Sequence, residues 1–232
     1  MSYRELTTHN RSFIKRFTHG KRFKLAKSFA NCTEQDLVLD YGTGNGELFL
    51  ALKSTLLRKK YAYEPISHMH QELTKHLADN KIADVKCLLN LDNVDSLFTK
   101  IFCLEVLEHF NAEQQKDHLR KMLSLLEAHG ELIISVPIEV GFAAFVKNSL
   151  RILIGQRPEN LNFKTLFKVL ISAPIERKQG EYIFSHIGFN HRRLEEVFEG
   201  LNLKIIKKRY APIPLFGGLV NSQVLYKLKS PN

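Results

Sequence analysis

Val38-Leu39-Asp40-Tyr41-Gly42-Thr43-Gly44-Asn45-Gly46-Glu47 is the stretch on which the reading of this chain turns. The run at 36–42, DLVLDYG, has the short apolar composition of a buried strand. It ends in three glycines at alternate positions, where an ordinary strand-to-helix turn uses one. Three let the backbone turn tightly and approach a ligand with no Cβ in the way. The next segment, ELFLALKSTLL at 47–57, has helical spacing, and a helix N-terminus presents free N–H groups. In an open α/β sheet such a strand delivers Asp40 to the carboxyl edge, where ligands bind.

Strands and helices alternate outward from this turn. RKKYAYEP (58–65) reads as a strand stopped by Pro65, and HMHQELTKHLADN (68–80) has a helical stripe of Met69, Leu73 and Leu77. VKCLLN (85–90) and KIFCLEV (100–106) read as strands. Asn111 caps a helix carrying Leu119, Met122, Leu123 and Leu126, with Gly130 as its stop, before a strand ELIISVP at 131–137. On the N-terminal side, residues 11–29 read as one or two amphipathic helices broken near Gly20. Two basic amphipathic stretches, around Phe142–Leu153 and Phe163–Leu170, interrupt the rhythm, and Asn190 then caps HRRLEEVFEG. LKIIKKRY (203–210) and QVLYKLK (223–229) are joined by a short loop and must pair antiparallel. The pattern predicts an α/β fold, a Rossmann-like seven-stranded, mostly parallel sheet with an antiparallel C-terminal hairpin and helices on both faces. One domain over 1–232 is expected, with a helical cap (1–30), a ligand-binding core (31–140), a substrate-side insert (141–185) and a C-terminal helix and hairpin (186–232).

Composition narrows the function classes. Over 232 residues, 44% hydrophobic with 12 glycines and 7 prolines, collagenous and disordered chains are excluded. Cys32, Cys87 and Cys103 have no CxxC spacing, so neither a disulfide framework nor a thiolate zinc site is encoded, and a reducing cytoplasm is the expected compartment. The polar N-terminus lacks a signal-peptide core, and no run reaches the ~18–20 apolar residues a bilayer span needs. The net charge of +10 is unevenly spread, at +7 over residues 1–30, −6 over 31–140 and +9 over 141–232. A uniform nucleic-acid coat would not divide that way.

The ligand can be read from the same turn. The dinucleotide pattern GxGxxG would need glycine at 47, where Glu47 stands and would repel a pyrophosphate. Asp40 suits an ammonium group, and Glu64, 24 residues on, ends the next strand where a carboxylate accepts from ribose hydroxyls. An adenosine carrying an amino acid in place of phosphates, S-adenosylmethionine, meets both conditions.

These residues, with Leu104-Glu105-Val106-Leu107-Glu108-His109, resemble class I S-adenosylmethionine-dependent methyltransferases, especially the branch of ubiquinone-biosynthesis O-methyltransferases and small-molecule methyltransferases. The resemblance is strong over 30–140 and weaker over the final helix and hairpin. It implies that Asp40, Gly42, Thr43, Gly44 and Gly46 meet the methionine moiety, that Glu64 holds the ribose, and that Asn90, Leu91 and Asp92 lie at the adenine. Leu104 and Glu105 would sit beneath the sulfonium. NLDN at 90–93 departs from the common adenine pattern, and Lys100 stands where the family often has an acid.

Methyl transfer is an in-line displacement that needs a base only if the acceptor loses a proton. The candidate bases are His109, after strand four, and His186 and His191, which flank Gly188-Phe189-Asn190. Glu105, Glu108 and His109 stand at i, i+3, i+4, and on one helical turn they would hold a divalent cation, although the leading reading requires no metal. Lys15, Arg16, Lys21, Arg22, Lys24 and Lys27 interleave with Phe13, Phe17 and Phe23, as Lys147, Arg151, Lys164 and Lys168 do with Phe142, Phe145, Phe163 and Phe167. Cationic faces beside aromatic ones fit a small or amphiphilic acceptor, at oxygen, with peripheral contact to an anionic membrane. RNA, or cofactor binding without catalysis, are the alternatives.

Overall fold

The structure, a computed structural model, describes residues 13–92, 94–153, 155, 161–175, 182–183 and 185–230, with 13–21 as backbone only. The aromatic and basic side chains expected at 13–21 therefore lie outside the described residues. In chain order the elements are α1 (Phe13–Ala30), β1 (Leu37–Tyr41), α2 (Glu47–Leu52), β2 (Lys59–Tyr63), α3 (Ser67–Asp79), β3 (Val85–Leu88) and β4 (Phe98–Leu104). A 3-10 turn (Leu107–His109), α4 (Ala112–Ser124), β5 (Leu126–Pro137), α5 (Phe142–Leu153), α6 (Phe163–Leu170), α7 (His191–Gly200), β6 (Lys204–Ala211), a second 3-10 stretch (Pro214–Leu219) and β7 (Gln223–Lys229) complete it.

The seven strands form one sheet in the order β3-β2-β1-β4-β5-β7-β6. β1 pairs parallel with β2 and β4, β2 with β3, and β6 antiparallel with β7. The Rossmann-like sheet and its terminal hairpin are those expected from the sequence. β1 is buried at all five positions, as a strand flanked by parallel neighbours and covered on both faces must be. Its register sets Asp40 opposite Ala62 of β2 and Phe102 of β4, one residue from the carboxyl end.

Four boundaries differ from expectation. α1 runs unbroken through Gly20, since one glycine inside a helix costs only about 1 kcal/mol. α2 stops at Leu52, where the Thr55 N–H turns back onto the Leu52 carbonyl. β4 begins two residues early, because Phe98 is fully buried and its N–H bonds the Leu125 carbonyl. α4 ends at Ser124, and Gly130 lies inside the 12-residue β5 rather than at a helix stop. A Cβ at Gly130 would meet Leu126 Cγ at 2.7 Å and the Phe98 carbonyl at 3.0 Å, so glycine here serves close strand packing.

The described residues pack as two compact units. The first comprises the residues up to Leu104 with Met122–Ile133, and its core includes Leu39, Leu48, Phe49, Leu73, Ile101 and Phe102. The second comprises Glu105–Lys121 and the chain from Ile134 onward, with Val136, Leu194, Phe198, Val224 and Tyr226 buried in it. Among the described residues no helix is long and apolar enough to cross a membrane.

Candidate active site

In the first unit the glycine loop is held by backbone bonds that only its conformation permits. Gly42, Gly44 and Gly46 have φ of 75°, 55° and 78°, the left-handed region that disfavours a Cβ. The Gly42 and Thr43 N–H groups both donate to the Tyr63 carbonyl, at 2.9 and 3.0 Å, tying the loop to the end of β2. Thr43 Oγ1 donates to Asp40 Oδ2 at 2.6 Å. The Gly44 N–H donates to Glu64 Oε2 at 3.0 Å and the Ile66 N–H to Glu64 Oε1 at 3.2 Å. Asp40 and Glu64 are thus brought to one edge, each 3% exposed.

Burial pushes the Asp40 carboxyl up to about 7, with the Thr43 hydroxyl opposing the rise and the Glu64 charge adding to it. Burial also raises Glu64, against the Ile66 and Gly44 N–H groups and the His68 charge. Among the described residues neither carboxylate is ion-paired with a lysine or arginine. Two buried acids with no lysine or arginine partner among the described residues suit a positive ligand better than a phosphate, which would add further negative charge. Glu64 keeps acceptor capacity, since a carboxylate offers about four lone-pair sites and the two N–H groups use two.

Asn45 is a candidate that the sequence does not single out. It is buried, and among the described residues nothing donates to its Oδ1, although the sequence shows it only as a spacer between glycines. Leu91 is buried and Asn90 and Asp92 are exposed. The Asp92 charge, after burial and Glu64, helps raise the Tyr63 hydroxyl. Leu104 closes β4, nearly buried. Lys100 bonds Glu131 at 2.8 Å and lies 3.9 Å from Asp36, so that departure from the family pattern is an internal ion pair.

Gly46 also packs closely. A Cβ there would fall 2.8 Å from Leu73 Cδ1 and 3.1 Å from Leu77 Cδ2 of α3. Gly46→Ala is expected to lower stability by about 1–3 kcal/mol, from left-handed strain and overpacking together. Urea unfolding checks this, and an unchanged midpoint would contradict it.

In the second unit Glu105, the third member of the alternative cation set with Glu108 and His109, is turned to other partners. Glu105 has φ 59°, its N–H bonds the Ser135 carbonyl, and its Oε1 accepts from Gln223 Nε2 at 2.8 Å and Ser135 Oγ at 3.2 Å. That left-handed residue and the 3-10 turn after it break the α-helical register the i, i+3, i+4 spacing needs. The group that does form is Glu108, His109 and His186, with ligand-type atoms within 4.8 Å of one another. The Glu108 side chain is fully buried, and its Oε1 lies 3.7 Å from His186 Nδ1. His109 Nδ1 lies 2.9 Å from the Ile183 carbonyl, so the neutral ring donates there and keeps its lone pair on Nε2. Tyr182 stacks on His109 at 4.4 Å and His186 meets it edge-on at 4.7 Å.

His191 stands apart from this group. It opens α7, is buried, and meets Tyr210 edge-on at 6.3 Å. Burial pushes it down to about 4, with Glu195 opposing and Lys208 and Arg192 adding. It is neutral at neutral pH and a weak base.

The parallel sheet with a C-terminal hairpin, the glycine loop and the paired buried acids define an S-adenosylmethionine-dependent methyltransferase. The chain belongs to the family described as "Methyltransferase domain", whose profile matches residues 11–208. Solved structures agree in fold. An S-adenosylmethionine-dependent methyltransferase from Clostridium acetobutylicum superposes with TM-score 0.62 at 14% identity, over 99% of each chain. The Synechocystis magnesium protoporphyrin IX methyltransferase with bound SAH gives 0.61 at 13%, over 95% of this chain and 88% of that one. A putative methyltransferase from Haloferax volcanii, solved in complex with the Trm112 activator, gives 0.62 at 14%, over 100% and 96%. A search of the curated proteins finds no match. S-adenosylmethionine is the cofactor, and the chain is an enzyme.

Proposed function

We propose that this enzyme methylates an oxygen of a small, lipid-like acceptor, with His109 as the base. The observation that carries the reading is the His109 ring, its tautomer set by Ile183 and its neighbour Glu108 a buried carboxylate. S-adenosylmethionine, when bound, supplies a methyl group on a cationic sulfur and leaves as S-adenosylhomocysteine. Asp40 and the Asn45 amide oxygen receive the ammonium group, and Gly42, Thr43, Gly44 and Gly46 give the backbone approach. Glu64 takes the ribose hydroxyls, Asn90, Leu91 and Asp92 border the adenine, and Leu104 supports the sulfonium. Glu105, tied to Ser135 and Gln223, fixes the backbone turn from which Glu108 and His109 project. His109 Nε2 accepts the acceptor hydroxyl's proton as the oxygen attacks, and the Glu108 carboxylate beside His186 stabilises the charge that forms.

Small-molecule methyltransferases among the structural neighbours support this acceptor class, including a mitomycin 7-O-methyltransferase at TM-score 0.59 and 13% identity that covers 61% of that chain. A second reading places a divalent cation on Glu108, His109 and His186, favoured by their mutual approach; there it would polarise the acceptor oxygen. The basic C-terminal third adds contact with an anionic membrane surface to the proposal. Labelled S-adenosylmethionine incubated with enzyme, cell lipid extract and total RNA tests the acceptor. Label is expected in the organic phase, and label in RNA alone would overturn the reading.

Cofactor binding is expected to depend on pH. An ammonium ligand needs the ionised Asp40, which in the free protein holds its proton up to about 7. Affinity should fall by up to about tenfold per pH unit below 7 and level off above it. Calorimetry at pH 6 in buffers of different ionisation heat should report proton release, and a pH-independent affinity would contradict the role of Asp40. By the same linkage the ligand-free chain loses stability as pH rises from the ordinary carboxylate range to about 7, because the unfolded state has already given up that proton.

A further inference from the structure

The second unit contains a cavity of about 130 Å³ lined by none of Glu108, His109 and His186. Val140, Phe142, Ser172, His191, Tyr210 and Leu219 line it, together with the exposed Arg192. His191 is buried, and among the described residues nothing hydrogen-bonds its Nδ1. A buried polar nitrogen without a partner is costly unless a bound group meets it. Its ring is neutral at neutral pH, so the partner it suits is a hydroxyl rather than an ion. Arg192 makes no ion pair among the described residues and suits an anionic group.

The apolar lip of this cavity continues onto the surface. Phe142 both lines the cavity and heads a face of α5 on which Val146, Leu150 and Leu153 follow at helical spacing. Phe142 is 53% exposed, Leu150 54% and Leu153 80%. Phe163 and Phe167 on α6, and Ile171 just after it, are likewise exposed. The opposite sides of these helices already supply the local core, Ala144 and Val169 with Ile187, so the outer faces are surplus to folding. From Phe142 to Leu153 the face runs roughly 16 Å at the rise of an α-helix, and α5 carries Arg151 and α6 Lys164 and Lys168 as positive charges.

We propose that the cavity and the α5 face bind a single-chain amphiphile whose head carries a hydroxyl and a negative charge. The hydroxyl meets His191, the anion meets Arg192, and the tail lies along Phe142, Val146 and Leu150. A flat bilayer would meet the exposed apolar residues but would make no use of a buried histidine beside a cavity. The inference rests on the lipid-like acceptor reading for its place in the reaction, and the hydroxyl at His191 is a recognition contact distinct from the one whose proton His109 takes.

Calorimetry with lauroyl lysophosphatidylglycerol below its micellar concentration tests the site on the full chain. It should bind at least about tenfold more tightly than glycerol phosphate, which lacks the tail, or lysophosphatidylcholine, whose phosphate is neutralised by choline and whose headgroup carries no hydroxyl beyond it. Arg192→Glu, Leu150→Asp and His191→Leu should each weaken it by about tenfold or more, with S-adenosylmethionine affinity unchanged. Arg192 and Leu150 are exposed, so the test stands even if the buried His191 variant folds poorly. Equal affinity in the Arg192 and Leu150 variants, or binding to phosphatidylglycerol vesicles with none to the monomer, would overturn the proposal. Cofactor binding without amphiphile binding would overturn this site alone. An amphiphile that binds but takes no methyl group would support the pocket and count against its role as acceptor.

Discussion

His109→Ala is expected to lower kcat by about 10²–10⁴-fold while leaving S-adenosylmethionine affinity within about twofold. The size follows from losing a positioned base. Without it the acceptor hydroxyl attacks with its proton still attached, or surrenders it to a group that nothing orients. The ring is placed for that task by one backbone bond, at 2.9 Å to the Ile183 carbonyl, and by the stacked Tyr182. A merely structural histidine would shift stability and leave the pH dependence of kcat unchanged. Loss of a base would abolish a pH-dependent limb of kcat that the wild type shows. Exhaustive chelation of the wild-type enzyme separates base from metal. Retained turnover supports His109 Nε2 as the proton acceptor, and lost turnover restored by a divalent ion transfers the role to a cation on Glu108, His109 and His186.

Asp40→Ala is expected to weaken cofactor binding by roughly 10–150-fold, the equivalent of about 1.5–3 kcal/mol for a charge-assisted hydrogen bond. Asp40→Asn makes the sharper experiment, because its two effects have opposite signs. In the ligand-free protein the carboxyl sits buried beside Glu64 with its ionisation pushed up to about 7, so a neutral isostere removes an unfavourable charge at pH 8. The free variant should melt at or above the wild-type temperature and yet lose most of its affinity for the cofactor. A variant that melts lower and binds normally would assign Asp40 to the fold instead of the site.

The sequence carried the donor half of this enzyme because its signals are local. Asp40, the glycines and Glu64 lie within two successive strand ends, and a parallel sheet puts successive strand ends on one edge. The helix and strand order was legible for the same reason. Contacts set by tertiary packing were not. Gly130 reads as a helix stop, but it lies in β5 because Leu126 and the Phe98 carbonyl crowd the space where its Cβ would be. Glu105 reads as a member of an i, i+3, i+4 triad, yet a left-handed backbone turns it onto Ser135 and Gln223. His186 joins Glu108 and His109 from far along the chain, a distance over which residue spacing holds no information. His191 matches His186 as a loop histidine in sequence, and only burial against Tyr210 distinguishes the two.

The central claim is that the buried acids at the end of β1 and β2 receive a cationic nucleoside. Titration calorimetry of the full chain with S-adenosylmethionine, and separately with NAD, tests it most directly. A single S-adenosylmethionine site, weakened in Asp40→Asn, with no heat from NAD, is the predicted result. Saturable NAD binding with none of S-adenosylmethionine would contradict it.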